Sequence, residues 1–180
     1  MPYAYPERVR QQLWRPTASE DLTHVYAILD AARDVRIYPA LLDADSDYCC
    51  LYRGDLAQEL AEVAPYLVTL EPQAPFTPWL LSHGWGGSWG VFLASSAPLE
   101  VLRRHFRRFL MVYDEAGKPL YFRYYDPRVL RVYLPTCNAT ELDTVFGPVK
   151  RYCVEGEDDH TLLEYVYTDA ELMQARVVYL

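Results

Sequence analysis

The run Ser88-Trp89-Gly90-Val91-Phe92-Leu93-Ala94 constrains this chain more than any other segment. Read as a strand, it puts Trp89, Val91 and Leu93 on one face and Gly90, Phe92 and Ala94 on the other. Both sets are apolar, so neither face suits water. Such a strand belongs in the middle of a sheet that is covered on both sides. Thr23 to Leu29 is a second run of this kind, nearly continuous in apolar residues and ended by Asp30. Tyr48 to Tyr52, Tyr66 to Leu70 and Val149 to Val154 read as further strands, and Leu162 to Tyr167 as an edge strand.

Helical patterns lie between these runs. The clearest spans Pro98 to Leu110, with Pro98 in the first turn, Glu100 complementing the dipole and Ser96 as the expected N-cap. Leu99, Leu102, Phe106, Phe109 and Leu110 make one apolar stripe at helical spacing. Short helices are expected at Glu7 to Trp14, Asp34 to Leu42, Phe76 to His83 and Thr140 to Phe146, with a weak helix or extended loop at Leu56 to Val63. Asp126-Pro127 has the N-cap and N1 pattern of another helix start. Leu110 to Asp114 and Pro119 to Tyr125, joined through Gly117, form a β-hairpin signal. Ala170 to Leu180 carries helix formers without a stop signal. The fold class is therefore α/β: a mixed, mostly covered β-sheet flanked by helices, with a β-hairpin after the arginine-rich helix. Three regions are expected: an N-terminal segment over 1–22, an α/β domain over 23–152 and a C-terminal extension over 153–180.

At 180 residues and 51% hydrophobic content, the chain is long enough to bury a substantial core. Its net charge of −8 argues against bulk binding to nucleic acid or to an anionic membrane. The N-terminal residues show no apolar segment of signal-peptide type, and no apolar stretch approaches the roughly 20 residues a membrane helix needs. A cytoplasmic protein without membrane insertion is the expectation. Cys49, Cys50, Cys137 and Cys153 form no C-x-x-C and do not cluster with histidine at zinc-ligand spacing. Neither a metal site nor a cofactor site is expected, since His24, His83, His105 and His160 lack paired spacing and no phosphate-binding glycine motif occurs.

The candidate binding residues are arginines and aromatics. Arg103, Arg104, Arg107 and Arg108 stand at four-residue intervals, which predicts a continuous basic helix face. Such a face suits an acidic protein partner or an anion, or else is a solvated face with Glu100 paired to Arg104. Arg123 and Arg128 flank Asp126; they suit a partner's carboxylate or backbone, or an internal ion-pair set in which Asp126 caps a helix. Trp85 and Tyr125 are candidate contact anchors, while Trp89 fits core packing. An enzyme alternative is a small hydrolase or transferase with Cys49 or Cys50 as nucleophile, His83 or His105 as base and Asp30 as orienter. No motif joins these groups, and no nucleophile elbow is present. The pattern of aromatics and arginines on rigid elements favours a recognition surface without catalytic residues.

The chain resembles the type VI secretion effector adaptor/chaperone family, the domain of unknown function 4123. The resemblance runs from Val25 to Val149 and rests on Tyr26 to Ala32, Ala64 to Val68, Trp85-Gly86-x-x-Trp89-Gly90-Val91-Phe92-Leu93 and His105 to Leu110. Phe122 to Leu130 and Phe146-Gly147-Pro148-Val149 complete it. It implies a bacterial cytoplasmic adaptor that loads a toxic effector onto the VgrG spike, often with a PAAR-type tip, and does not catalyse. It carries no catalytic residue over. Members often have a variable C-terminal lobe, so the segment after Cys153 is expected to be a short extension or the start of such a lobe.

Overall fold

The structure is a computed structural model and describes residues 4–16 and 23–178. The expected α/β architecture is present, built on one seven-stranded sheet. Its strands are β1 (His24–Asp30), β2 (Tyr48–Cys50), β3 (Pro65–Leu70), β4 (Gly90–Ser95), β7 (Arg151–Glu155), β8 (Thr161–Thr168) and β9 (Glu171–Val178). A separate two-stranded hairpin holds β5 (Met111–Tyr113) and β6 (Pro119–Tyr121). The large sheet runs in the order β2-β3-β1-β4-β7-β8-β9, and every pairing in it is antiparallel, so the sheet is not the mixed one expected: no connection returns a strand parallel beside its neighbour.

Helices cover both faces, as the doubly apolar β1 and β4 require. On one face lie α1 (Ala4–Leu13), α2 (Ile37–Asp43) and α4 (Phe76–Gly84). Val9, Leu13, Ile37, Leu41 and Leu80 from these helices meet Val25, Ala27 and Leu29 of β1 and Phe92 of β4. On the other face lie α5 (Leu99–Phe106), α6 (Pro127–Tyr133) and α7 (Ala139–Phe146). Their Leu102, Phe106, Leu130 and Phe146 pack with Tyr26, Ile28, Val91 and Leu93. A short helix, α3 (Asp55–Glu59), follows β2 in the chain. Pro39 lies in the first turn of α2, where its missing N–H leaves no bond unmade.

The capping signals are partly those read from the sequence. Asp126 caps α6 through its side chain, with Pro127 at the first position. Asn138 and Glu141 close a reciprocal capping box on α7, and Gly147 ends that helix at positive φ. Ser96, in contrast, does not cap α5. The N-cap is Pro98, which makes no side-chain cap. The nearby serine with a structural role is Ser95, whose hydroxyl donates to the Pro148 carbonyl at 2.6 Å and accepts from the Ala97 N–H at 3.0 Å.

Trp89 departs from the expected alternation. It precedes the first strand residue and packs with Phe92 rather than with Val91 and Leu93. Ser88, at φ +56°, turns the chain just before it and breaks the two-residue period. Gly90 then begins β4 where a Cβ would stand 2.1 Å from the Ile28 carbonyl oxygen.

The C-terminal segment is also different. Glu171 to Val178 is a strand, not a helix, and it makes β8 an interior strand with β9 at the edge. Asp169 and Ala170, both at positive φ, form the two-residue reversal. Asn-Gly normally announces such a turn, so the sequence carried no clear hairpin signal here. Pairing along the whole of β8 then outweighs the helical preference of Glu, Leu, Met and Gln. The boundary expected before Cys153 runs through β7, which pairs with β4 on one side and β8 on the other.

Helix α1 is tied to the same sheet. The buried Arg151 donates to the Leu13 carbonyl at 2.6 Å and lies 3.5 Å from Glu164. Glu164 also accepts from Arg15 at 2.7 Å and Gln12 at 3.2 Å.

Candidate functional site

The hairpin β5–β6 follows α5 and precedes α6 in the chain, and the flanking Leu110, Phe122 and Tyr124 pack in the second-face cluster. Met111 pairs with Tyr121 and Val112 with Leu120, so the hairpin has apolar side chains on both of its faces. A two-stranded ribbon with no third strand leaves such groups in water. Met111, Val112, Tyr113, Leu120 and Tyr121 are all exposed, Tyr113 to 70%. A contiguous apolar patch of this kind marks an interaction surface more often than a solvated one.

One face of the hairpin borders a groove of about 380 Å³. Leu51 and Leu110 line its base, Met111 and Tyr121 one wall, and Tyr52, Arg53 and Leu56 the other. The rings of Tyr52 and Tyr121 stand 5.8 Å apart. Arg107 and Arg108 complete the lining from the end of α5.

The predicted continuous basic face does not form, because its four arginines divide by role. Arg107 is half-buried and donates to the carbonyls of Cys50 at 2.9 Å, Leu51 at 3.1 Å and Tyr52 at 2.8 Å. It thereby closes the end of β2 against α5. Arg103 pairs with Glu100 at 2.7 Å, in place of the expected Arg104 pairing. Arg104 and Arg108 remain exposed. Among the described residues, neither these two nor Arg53 has an ion-pair partner.

The other predicted residues are mostly structural. Arg123 reaches Asp30, which ends β1 and is only 2% exposed. Asp30 also accepts from the Ala32 N–H at 3.2 Å. This pair holds the chain leaving the hairpin against the sheet. Arg128 folds back on Asp126 with bonds of 2.9 and 2.6 Å, completing the internal set around the α6 cap. Tyr125 is buried, and burial pushes its hydroxyl pKa upward. It is therefore a core residue beneath the hairpin. Trp85 is half-buried, packs near Phe92 and donates its indole N–H to the Asp159 carbonyl at 2.8 Å. Of the aromatic contact candidates, neither Trp85 nor Tyr125 is free to serve as a protruding anchor.

The enzyme alternative distributes over both layers. Cys49 packs with the second-face cluster and Cys50 with the first. Burial pushes the Cys49 thiol up to about 11 and raises that of Cys50. His105 is buried, its pKa lowered by burial, with Nε2 at 3.0 Å from the Val145 carbonyl. His83 is exposed, stacks on Trp79 and places Nδ1 2.9 Å from its carbonyl. Asp30 is engaged by Arg123 and orients neither imidazole. Among the described residues, no group of three or more His, Cys, Asp or Glu is arranged to hold a metal ion, and no helix is long and apolar enough to cross a membrane.

The groove lies between Leu51 and Tyr121, wholly inside a stretch that comparison with known families singles out. The model of a domain of unknown function, DUF4123, matches residues 25–144. The chain belongs to the DUF4123 family. The match begins in β1 and ends inside α7, so β7 to β9 lie beyond it. DUF4123 is known as a domain associated with type VI secretion effector adaptors, and membership suggests a type VI secretion-associated role. No curated protein and no solved structure matches this DUF4123 chain.

The sequence reading missed the hairpin as the exposed feature. A signal was available: β5 and β6 are apolar at successive positions, which a two-stranded ribbon cannot bury on both sides.

Proposed function

We propose that this protein is a non-catalytic adaptor that binds a type VI secretion effector in the bacterial cytoplasm and helps load it onto the VgrG/PAAR spike. Family membership over residues 25–144 carries this reading. The exposed apolar hairpin within that stretch supports a protein partner over nucleic acid or a bilayer, since the chain is acidic overall. The raised pKa values of Cys49 and Cys50 favour thiols over nucleophilic thiolates at neutral pH, in keeping with a role that needs no cofactor and no chemistry.

The test is co-expression with a candidate effector and the VgrG protein from the same cluster of secretion genes. A complex that contains all three on size exclusion, and loses the effector when this protein is omitted, is the expected result. Failure to retain the effector overturns the reading. So does turnover in a screen of ester, phosphate and peptide substrates that disappears in Cys49→Ala/Cys50→Ala.

A further inference from the structure

We propose that the groove between the β5–β6 hairpin and the Tyr52–Leu56 segment is the docking site for a partner segment that carries a large apolar side chain next to acidic residues. This rests on the adaptor reading and names the surface and the chemistry it recognises.

The argument begins with what the groove lacks. Its base and walls are apolar at Leu51, Leu56, Leu110 and Met111, and the rings of Tyr52 and Tyr121, packed on one another at 5.8 Å, add to the lining. At about 380 Å³ it is large enough for a bulky side chain but sits at the low end of ligand-site volumes. The exposed surface does not stop at the groove. Val112, Tyr113 and Leu120 continue it over the tip and far face of the hairpin. A small molecule in the groove leaves those groups in water, whereas a chain segment crossing the hairpin covers both.

Charge then selects the kind of segment. Most arginines of this protein already have a carboxylate: Arg10, Arg15, Arg36, Arg103, Arg123, Arg128, Arg151 and Arg176 all do. Arg53 and Arg108, which line the groove, and Arg104, one turn before Arg108, have none among the described residues. Positive groups left unpaired beside an apolar floor, on a chain of net charge −8, complement acidic flanks on the partner. Asp114 and Glu115 occupy the hairpin turn and disfavour an acidic residue there, whereas Asp55, two residues from Arg53, adds a single negative charge beside that arginine and leaves Arg108 and Arg104 as the stronger match. Arg107 is already fixed by its three carbonyls and shapes the wall without offering a free charge.

The probes are three fluorescein-labelled synthetic peptides of equal length. One alternates leucine and phenylalanine with glutamate, one replaces each glutamate by lysine, and one replaces the apolar residues by serine. Fluorescence anisotropy against the full chain is expected to rank the first well above the other two, by about tenfold or more. Arg53→Glu/Arg108→Glu is expected to slow association of the first peptide about tenfold at low salt and to flatten its salt dependence. Met111→Ser/Tyr121→Ser is expected to speed its dissociation by about tenfold or more. Both pairs are exposed or half-exposed, and circular dichroism melting of each variant checks that the fold is kept.

Equal binding of acidic and basic peptides, or folded variants that bind like the wild type, overturns the proposal. A concentration-dependent dimer that Met111→Ser/Tyr121→Ser dissolves also overturns it, because a second copy is then the occupant. The adaptor reading is tested separately by the co-expression experiment with these same variants. Effector retained by folded groove variants removes the groove and leaves the adaptor, whereas effector lost only with the groove variants supports both.

Discussion

Glu155 offers a test of how burial is distributed in the sheet. It ends β7, is 4% exposed and accepts the Ser88 N–H at 3.0 Å. Burial pushes its carboxyl up to about 7, against the opposing pull of the Ser88 and Gly86 amides and of Arg131 and Arg33. The unfolded chain keeps a value near 4.5. Between those two values the folded state binds more protons than the unfolded state, so stability falls as pH rises and the loss is complete above about 7. Each pKa unit is worth about 1.4 kcal/mol, which makes the whole effect about 3 kcal/mol. Glu155→Gln keeps an acceptor for the Ser88 N–H and removes the titration. The variant is expected to match the wild type near pH 4 and to exceed it by about 3 kcal/mol at pH 8. In a protein of this size that is a rise in Tm on the order of 10 °C. Urea unfolding of both proteins from pH 4 to pH 9 measures the difference directly. Two stability curves that run parallel across that range refute the reasoning, since the carboxyl would then titrate alike in folded and unfolded chains.

Val91→Asp places a charge in β4, whose side chain there is fully buried; loss of the cooperative melting transition is expected, and an unchanged Tm refutes a central role for this strand. Gly90→Ala sets a methyl group 2.1 Å from the Ile28 oxygen, where backbone rather than a flexible side chain must yield; a loss of about 2 kcal/mol or more is expected by urea unfolding, and a neutral effect shows that β1 and β4 separate freely. Glu164→Ala strips the buried Arg151 of its carboxylate and frees Arg15 and Gln12 from the sheet; a loss of about 3 kcal/mol is expected, with faster amide exchange in α1, and unchanged exchange there means that other contacts hold the helix.

Much of the fold was legible because burial leaves a pattern in composition. Strands β1 and β4 are apolar at successive positions, and only a sheet covered on both faces accommodates that. Asp126-Pro127 and Gly147-Pro148 announced the start of α6 and the end of α7 through backbone chemistry that acts within a few residues. The same locality explains the failures. The turn at Asp169-Ala170 lacks the usual glycine, and β9 is a strand only because β8 lies beside it. Helical spacing gave Arg103, Arg104, Arg107 and Arg108 one face, but spacing does not record the carbonyls of Cys50, Leu51 and Tyr52 that capture Arg107.

The sequence by itself determined that a two-sided apolar sheet forms, that helices flank it, that a hairpin follows the arginine-rich helix, and that the chain carries the motifs of its family. Tertiary structure alone decided which polar groups are spent inside the fold and which remain available. Asp30 and Arg123 stand 93 positions apart in the chain and neutralise one another, while Arg53 and Arg108 line one groove whose described lining holds no carboxylate. Local propensity acts over a few residues, whereas partnering of charges depends on which distant segments the sheet brings together.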